Sequence, residues 1–167
     1  MNYQLTPKMR TQTRNQNAIL YYLLKMLAIG LLVIVPLSTS LADEKIHRIV
    51  MQISSGDPAR MNLILNNASN INKYYLDKGE EAKIEIVAYG PGLTMLRGDK
   101  SPVKKRVKTI AQNFENVSFK ACNNTLQKLI KKEKKKDIPL LPEAKIVPSG
   151  VIHLIQRQEE GWTYIKP

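Results

Sequence analysis

From residue 46 onward, apolar positions recur with two alternating periods. Residues 46–53 (IHRIVMQI) are a β-branched-rich run that predicts a strand. Ser54-Ser55-Gly56-Asp57-Pro58 breaks it, and a capping Asp57 with Pro58 just inside is the expected start of a helix. Met61, Ile64, Leu65, Ala68, Ile71 and Tyr75 follow at spacings of three and four, which puts them on one buried stripe. Asn62, Asn66 and Asn70 fall on a different face. A second strand is predicted over 83–89 (KIEIVAY) and ends at Gly90-Pro91-Gly92. Ser101-Pro102 opens a second helix with Val103, Val107, Ile110, Ala111 and Phe114 inward. Residues 117–121 alternate as a third strand, Cys122 stands at its exit, and Asn123-Asn124-Thr125 begins a short helix with Leu126, Leu129 and Ile130 inward. A long connection through 138–142 (IPLLP) leads to a short fourth strand, 144–147. Pro148-Ser149-Gly150 opens a fourth helix, Gly161 closes it, and 162–166 (WTYIK) is the last strand.

Strands separated by helical crossovers make a parallel sheet covered on both faces, so the fold class is α/β. In such a sheet, ligands bind beyond the carboxyl ends of the strands. Ser55, Gly56 and Asp57 follow the first strand, Gly90, Pro91 and Gly92 the second, Cys122, Asn123, Asn124 and Thr125 the third, and Ser149 and Gly150 the fourth. Their glycines let backbone N–H groups approach a ligand, and the helices that start there turn positive dipole ends toward a common edge. Asp57 also has a plain role as a helix cap. Asn66 and Asn67 either cap backbone groups or reach toward the same edge. His153, one turn into the last helix, is expected to face solvent, and His47 at a strand start is expected to be structural. Two histidines and one cysteine without regular spacing make no metal site, and no motif calls for a cofactor.

The N-terminus changes the picture. Lys8, Arg10, Arg14 and Lys25 form an acid-free basic region, residues 26–37 are an uninterrupted apolar run, and Ser40-Leu41-Ala42 is a small-x-small cleavage site. This is the order of a secretory signal peptide, and the apolar run is too short for a bilayer span. Cleavage is expected after Ala42, with residues 43–167 as one exported domain, periplasmic in a bacterium, and without a stable membrane span. An uncleaved anchor is the rival.

Charge matters less. The leader holds four of the 26 basic residues and none of the 14 acidic ones, which leaves the domain at +8. Lys128, Lys131, Lys132, Lys134, Lys135 and Lys136 crowd one segment with no aromatic or arginine between them. That argues against a nucleic-acid patch and reads as a solvated helix end and loop, with contact to an anionic partner or a membrane surface as the alternative. The apolar 138–141 stretch beyond it is expected to pack against a neighbouring subunit.

Cys122 is the one cysteine of 167 residues. At a strand-to-helix junction a thiol sits beside the positive end of the helix, where its thiolate is favoured. It has no internal disulfide partner, so the chemical question is what the sulfur reacts with.

Five stretches together carry a resemblance: VMQISSGDP from Val50, NLILNNA from Asn62, IEIVAYGPG from Ile84, FKACNNT from Phe119 and EGWTYIKP from Glu160. They cover nearly all of 46–167, and the chain resembles the DsrE/DsrF-like family, in its exported single-domain branch. The resemblance implies an α/β/α sandwich around a five-stranded, mostly parallel sheet. It implies homo-oligomers, trimers or hexamers, and a sulfur relay in which a cysteine carries a persulfide between donor and acceptor thiols. Cys122 is the one position that inherits that role. The family's relay members are cytoplasmic and its pattern lacks the 131–136 lysine run, and this chain departs from it in both respects. The alternative reading is a non-catalytic oligomeric module that holds a small anion or a nucleotide-like ligand at the same edge, with Cys122 merely lining it. A third is a structural subunit with Cys122 as a small buried hydrophobe.

Overall fold

The computed structural model describes residues 45–167 together with Tyr21 and Lys25. The expected leader, its apolar run and its cleavage site otherwise lie outside the described residues. The chain divides into two compact units, Met1–Ala42 and Asp43–Pro167. Among the described residues, no helix is long and apolar enough to cross a membrane.

In the second unit five strands form one sheet: β1 (His47–Ile53), β2 (Ala82–Ala88), β3 (Val117–Cys122), β4 (Ala144–Val147) and β5 (Thr163–Ile165). The helices between them are α1 (Pro58–Asp77), α2 (Lys104–Asn113), α3 (Asn123–Glu133) and α4 (Gly150–Glu159). The strand order is β4-β3-β2-β1-β5, and every pairing is parallel. Steps from β1 to β4 all run one way, so right-handed crossovers place α1, α2 and α3 on one face. The step from β4 to β5 runs back across the sheet, which places α4 on the other.

The two faces carry unequal cores. Ile49, Met51, Ile53, Ile84, Ile86, Ala88 and Phe119 meet the stripes of α1 and α2 in one large cluster. Under α4 the cluster is small, with Val50, Val87, Leu154 and Trp162 buried. The result is a three-layer α/β/α sandwich, as the alternating periods predict.

Three details differ from the expectations. Gly90-Pro91-Gly92 does more than end β2: it begins a 3₁₀ helix, Gly90–Leu96, that buries Leu93, Met95 and Leu96. The helix expected from Ser101 starts at Lys104, because the Ser101 hydroxyl first closes a turn by donating to the Met95 carbonyl at 2.5 Å. The 138–142 connection does not wait for a neighbouring subunit. Ile138 and Leu141 are buried in the chain's own core, and Gly98 N–H donates to Pro139 O at 2.7 Å while Leu141 N–H donates to Leu96 O at 2.8 Å.

Arg97 fixes that strap. It is buried, and its guanidinium donates to both oxygens of Asp99 at 2.9 and 2.7 Å and to both oxygens of Glu133 at the end of α3. Lys135 bridges the same two carboxylates, so one member of the lysine run is a structural partner. The Arg97 hydrogen bonds hold Asp99 well below the usual carboxylate range and bring Glu133 down to about 2. Because these folded values lie below the unfolded ones, their stabilisation is full above about pH 4 and fades as pH falls through the folded values. The melting temperature of the wild-type domain should therefore exceed that of Arg97→Ala at neutral pH, with the gap narrowing as thermal melts are taken from about pH 5 to about pH 2. A gap of constant width would mean that Arg97 contributes packing alone.

Candidate functional site

At the carboxyl edge of the sheet, the loops touch one another in series. The loop after β1 meets the loop after β2 at Gly56, where a Cβ would lie 3.4 Å from Pro91 Cβ. Gly90 has a φ of +55°, a conformation glycine adopts without strain, and its N–H donates to Thr125 Oγ1 at 3.0 Å. That bond joins the second loop to the third. Asn124 N–H donates to Pro148 O at 3.2 Å and joins the third to the fourth. Gly150 closes the series: a Cβ there would stand 3.0 Å from Tyr89 Cβ and 3.3 Å from Cys122 Cβ.

Cys122 lies at the centre of this arrangement, 4% exposed. Burial by itself pushes its thiol up. The polar groups beside the sulfur outweigh it and hold the pKa below the ordinary cysteine value. They are the Thr125 hydroxyl and the backbone N–H groups of Gly150, Thr125 and Asn124. Asn124 and Thr125 are in the first turn of α3, and Gly150 is the first residue of α4. The sulfur thus lies at the N-terminal ends of two helices, whose first N–H groups have no partners within their own helices. A thiolate, or the terminal anion of a persulfide, is the species such a cradle stabilises.

The other candidate residues divide. Gly90, Asn124, Thr125 and Gly150 belong to the cradle or touch it directly. Gly56, Pro91 and Gly92 shape the adjoining loops. Asp57 caps α1, accepting from Ala59 N–H at 2.9 Å, and Ser55 Oγ accepts from Asp57 N–H at 3.2 Å. Ser149 is the cap residue of α4, where its carbonyl accepts from His153 N–H at 3.0 Å and its side chain makes no capping bond. The Asn123 side chain accepts from Gln127 at 3.3 Å, along α3. The structure does not bring Asn66 to the edge: it sits in the third turn of α1, where its Oδ1 accepts from Arg106 on α2 at 2.7 Å.

His153 does not face solvent. Its Nε2 lies 2.6 Å from Glu85 Oε2, beneath α4. Arg157 donates to the same carboxylate at 2.9 and 3.2 Å, and Lys120 on β3 stands 3.3 Å away. Burial pushes Glu85 up, and these three partners outweigh it and hold its carboxyl low. The signal was in the sequence: a carboxylate at the centre of Ile84-Glu85-Ile86 must be met by a cation, because a buried unpaired charge is too costly.

A depression of about 650 Å³ lies away from Cys122. It occupies the uncovered part of the α4-side face, among Arg48, Lys83, Glu85, Lys120 and Lys145. Among the described residues no group of histidines, cysteines and carboxylates is placed to hold a metal.

A parallel α/β sandwich with a thiol cradled at its carboxyl edge is the class that fold and site define. The model of the DsrE/DsrF-like family matches residues 47–167, and the chain belongs to that family. Among solved structures it is similar to a protein of unknown function, MTH1491 from Methanobacterium thermoautotrophicum. The identity is 35% and the TM-score 0.61, over 72% of this chain and 99% of that one. No curated protein matches.

Proposed function

We propose that the protein handles sulfane sulfur, which Cys122 carries as a persulfide. The observation that supports this reading is one thiol set where the first turns of two helices and the Thr125 hydroxyl meet, in a family whose sulfur-relay members work through a cysteine. The Cys122 thiolate attacks the terminal sulfur of a donor R–S–SH. A new S–S bond forms as the donor's S–S bond breaks, and RS⁻ leaves with the bonding pair. An acceptor thiolate then attacks the outer sulfur, and Cys122 departs as thiolate. Electrons balance without an oxidant, and a thiol already held low needs no general base. The near-complete burial of the sulfur suits a small donor better than a protein surface.

Intact mass spectrometry of residues 43–167 after incubation with polysulfide should show a gain of one sulfur atom, reversed by an excess of a small thiol. An unchanged mass would replace this reading by the binding module. The proposal places this chemistry outside the cytoplasm, on the basis of the leader pattern. N-terminal sequencing of the exported protein should then begin at Asp43, and a full-length membrane-retained species would speak for the anchor.

A further inference from the structure

The buried cluster beneath α4 has no part in the sulfur chemistry as described, yet it sits on the helix that supplies one of the sulfur's donors. Gly150 stays against Cys122, where an added Cβ would lie 3.3 Å from the Cys122 Cβ, only while the first turn of α4 stays seated on the sheet. The apolar contacts that seat α4 are few, since Leu154 is the single residue of that helix in the small cluster. Its outer face is open, with Val151, Ile152 and Ile155 all 45% exposed or more. The anchoring therefore falls to polar contacts. His153 and Arg157, one turn apart on the inner face, both grip Glu85, whose side chain is 3% exposed. His153 is only three residues from Gly150.

We propose that Glu85 is a positioning residue for Cys122: by clamping His153 and Arg157 it holds the start of α4 where Gly150 can donate to the sulfur. The inference rests on the reading of Cys122 as the reacting atom. The charged groups that meet at the clamp are Glu85 from β2, Lys120 from β3, and His153 and Arg157 from α4, with Glu160 holding the far side of Arg157. Without the carboxylate, Lys120 and Arg157 lose the counter-charge they share and His153 loses its partner, with Glu160 left only on the far side of Arg157. The helix start then relaxes outward, which takes one donor from the sulfur and admits water.

The test is the pH profile of iodoacetamide alkylation at Cys122 in folded protein, wild type against Glu85→Gln. The variant should label several-fold more slowly at about pH 6.5 and reach its plateau at a higher pH, as a thiol that has lost a donor must. The plateau rate itself should rise, because the sulfur is more open. A purely structural role would change the melting temperature and leave the midpoint of the profile where it is, and that result overturns the proposal. Should Glu85→Gln fail to fold, His153 decides. His153→Ala should shift the profile in the same sense. His153→Gln, whose amide nitrogen reaches about as far as Nε2 and donates to Glu85, should restore it. Equal profiles for these two variants would likewise overturn the proposal. If wild type takes up sulfur and its profile ignores Glu85, positioning alone is wrong. If the profile follows Glu85 and no sulfur is taken up, the persulfide reading is the one that falls.

Discussion

Cys122→Ser should abolish sulfur uptake entirely while leaving the domain folded. A serine hydroxyl is not a thiolate at any accessible pH, and no other residue of the chain can form a persulfide. The three N–H groups and the Thr125 hydroxyl keep an oxygen acceptor in the same place, so the expected loss of stability is about 1 kcal/mol. Intact mass after polysulfide treatment reads the first half, and thermal melting the second. The wild-type thiol should also label with iodoacetamide down to about pH 6–7, where an unperturbed cysteine is almost wholly protonated. Sulfur gained by Cys122→Ser, or a wild-type thiol that labels only after denaturation, would end the persulfide mechanism.

Gly92→Ala should be the most damaging small substitution in the domain. A Cβ at Gly92 would stand 2.2 Å from the Ile53 carbonyl oxygen and 2.6 Å from its carbon, inside any permissible contact. The obstacle is backbone, at the end of a central strand, so no side chain can turn aside to relieve it. Either β1 or the 3₁₀ helix must shift, and the loops that carry the cradle shift with it. The cost is expected at about 3–5 kcal/mol, enough to unfold a marginal domain. Urea denaturation of Gly92→Ala measures it directly. Gly79→Ala, at a positive φ of +69° with nothing within 4 Å of the added carbon, is the control: it should cost only about 1 kcal/mol. Similar losses in the two would show that clash is not the cause.

Much of this architecture is legible in the residues, for definite reasons. Hydrophobic period separates helix from strand, and Gly, Pro and Asx signals punctuate both, so the element order and the loops at the carboxyl edge follow from the residues. Alternation fades where both faces are buried, as in β1 from Ile49 onward, and there the sequence does not say which side chain meets which layer. The Arg97 strap was hidden for another reason. Its partners lie two and 36 residues away, and Glu133 looks like a lone acid in a solvated lysine run until Arg97 is beside it. Asn66 was misplaced because a helix face can be read from spacing while the neighbour that packs on it cannot. The same limit hides His153: spacing does not show the Glu85 carboxylate across the sheet that draws it away from solvent.

One hydroxyl settles how ready the sulfur is before any substrate arrives. Thr125 Oγ1 accepts from Gly90 N–H, and the same hydroxyl helps hold the Cys122 thiol low. A hydroxyl in water rotates freely and must be turned at the moment charge appears, at a cost in entropy. Here the glycine N–H takes one of the oxygen's two lone pairs, which narrows the rotor's choices and favours turning its proton toward the sulfur. The loop after β2 therefore has a share in the nucleophile without touching it. Serine in place of Thr125 would keep that alignment, and valine, nearly the same shape, would erase it.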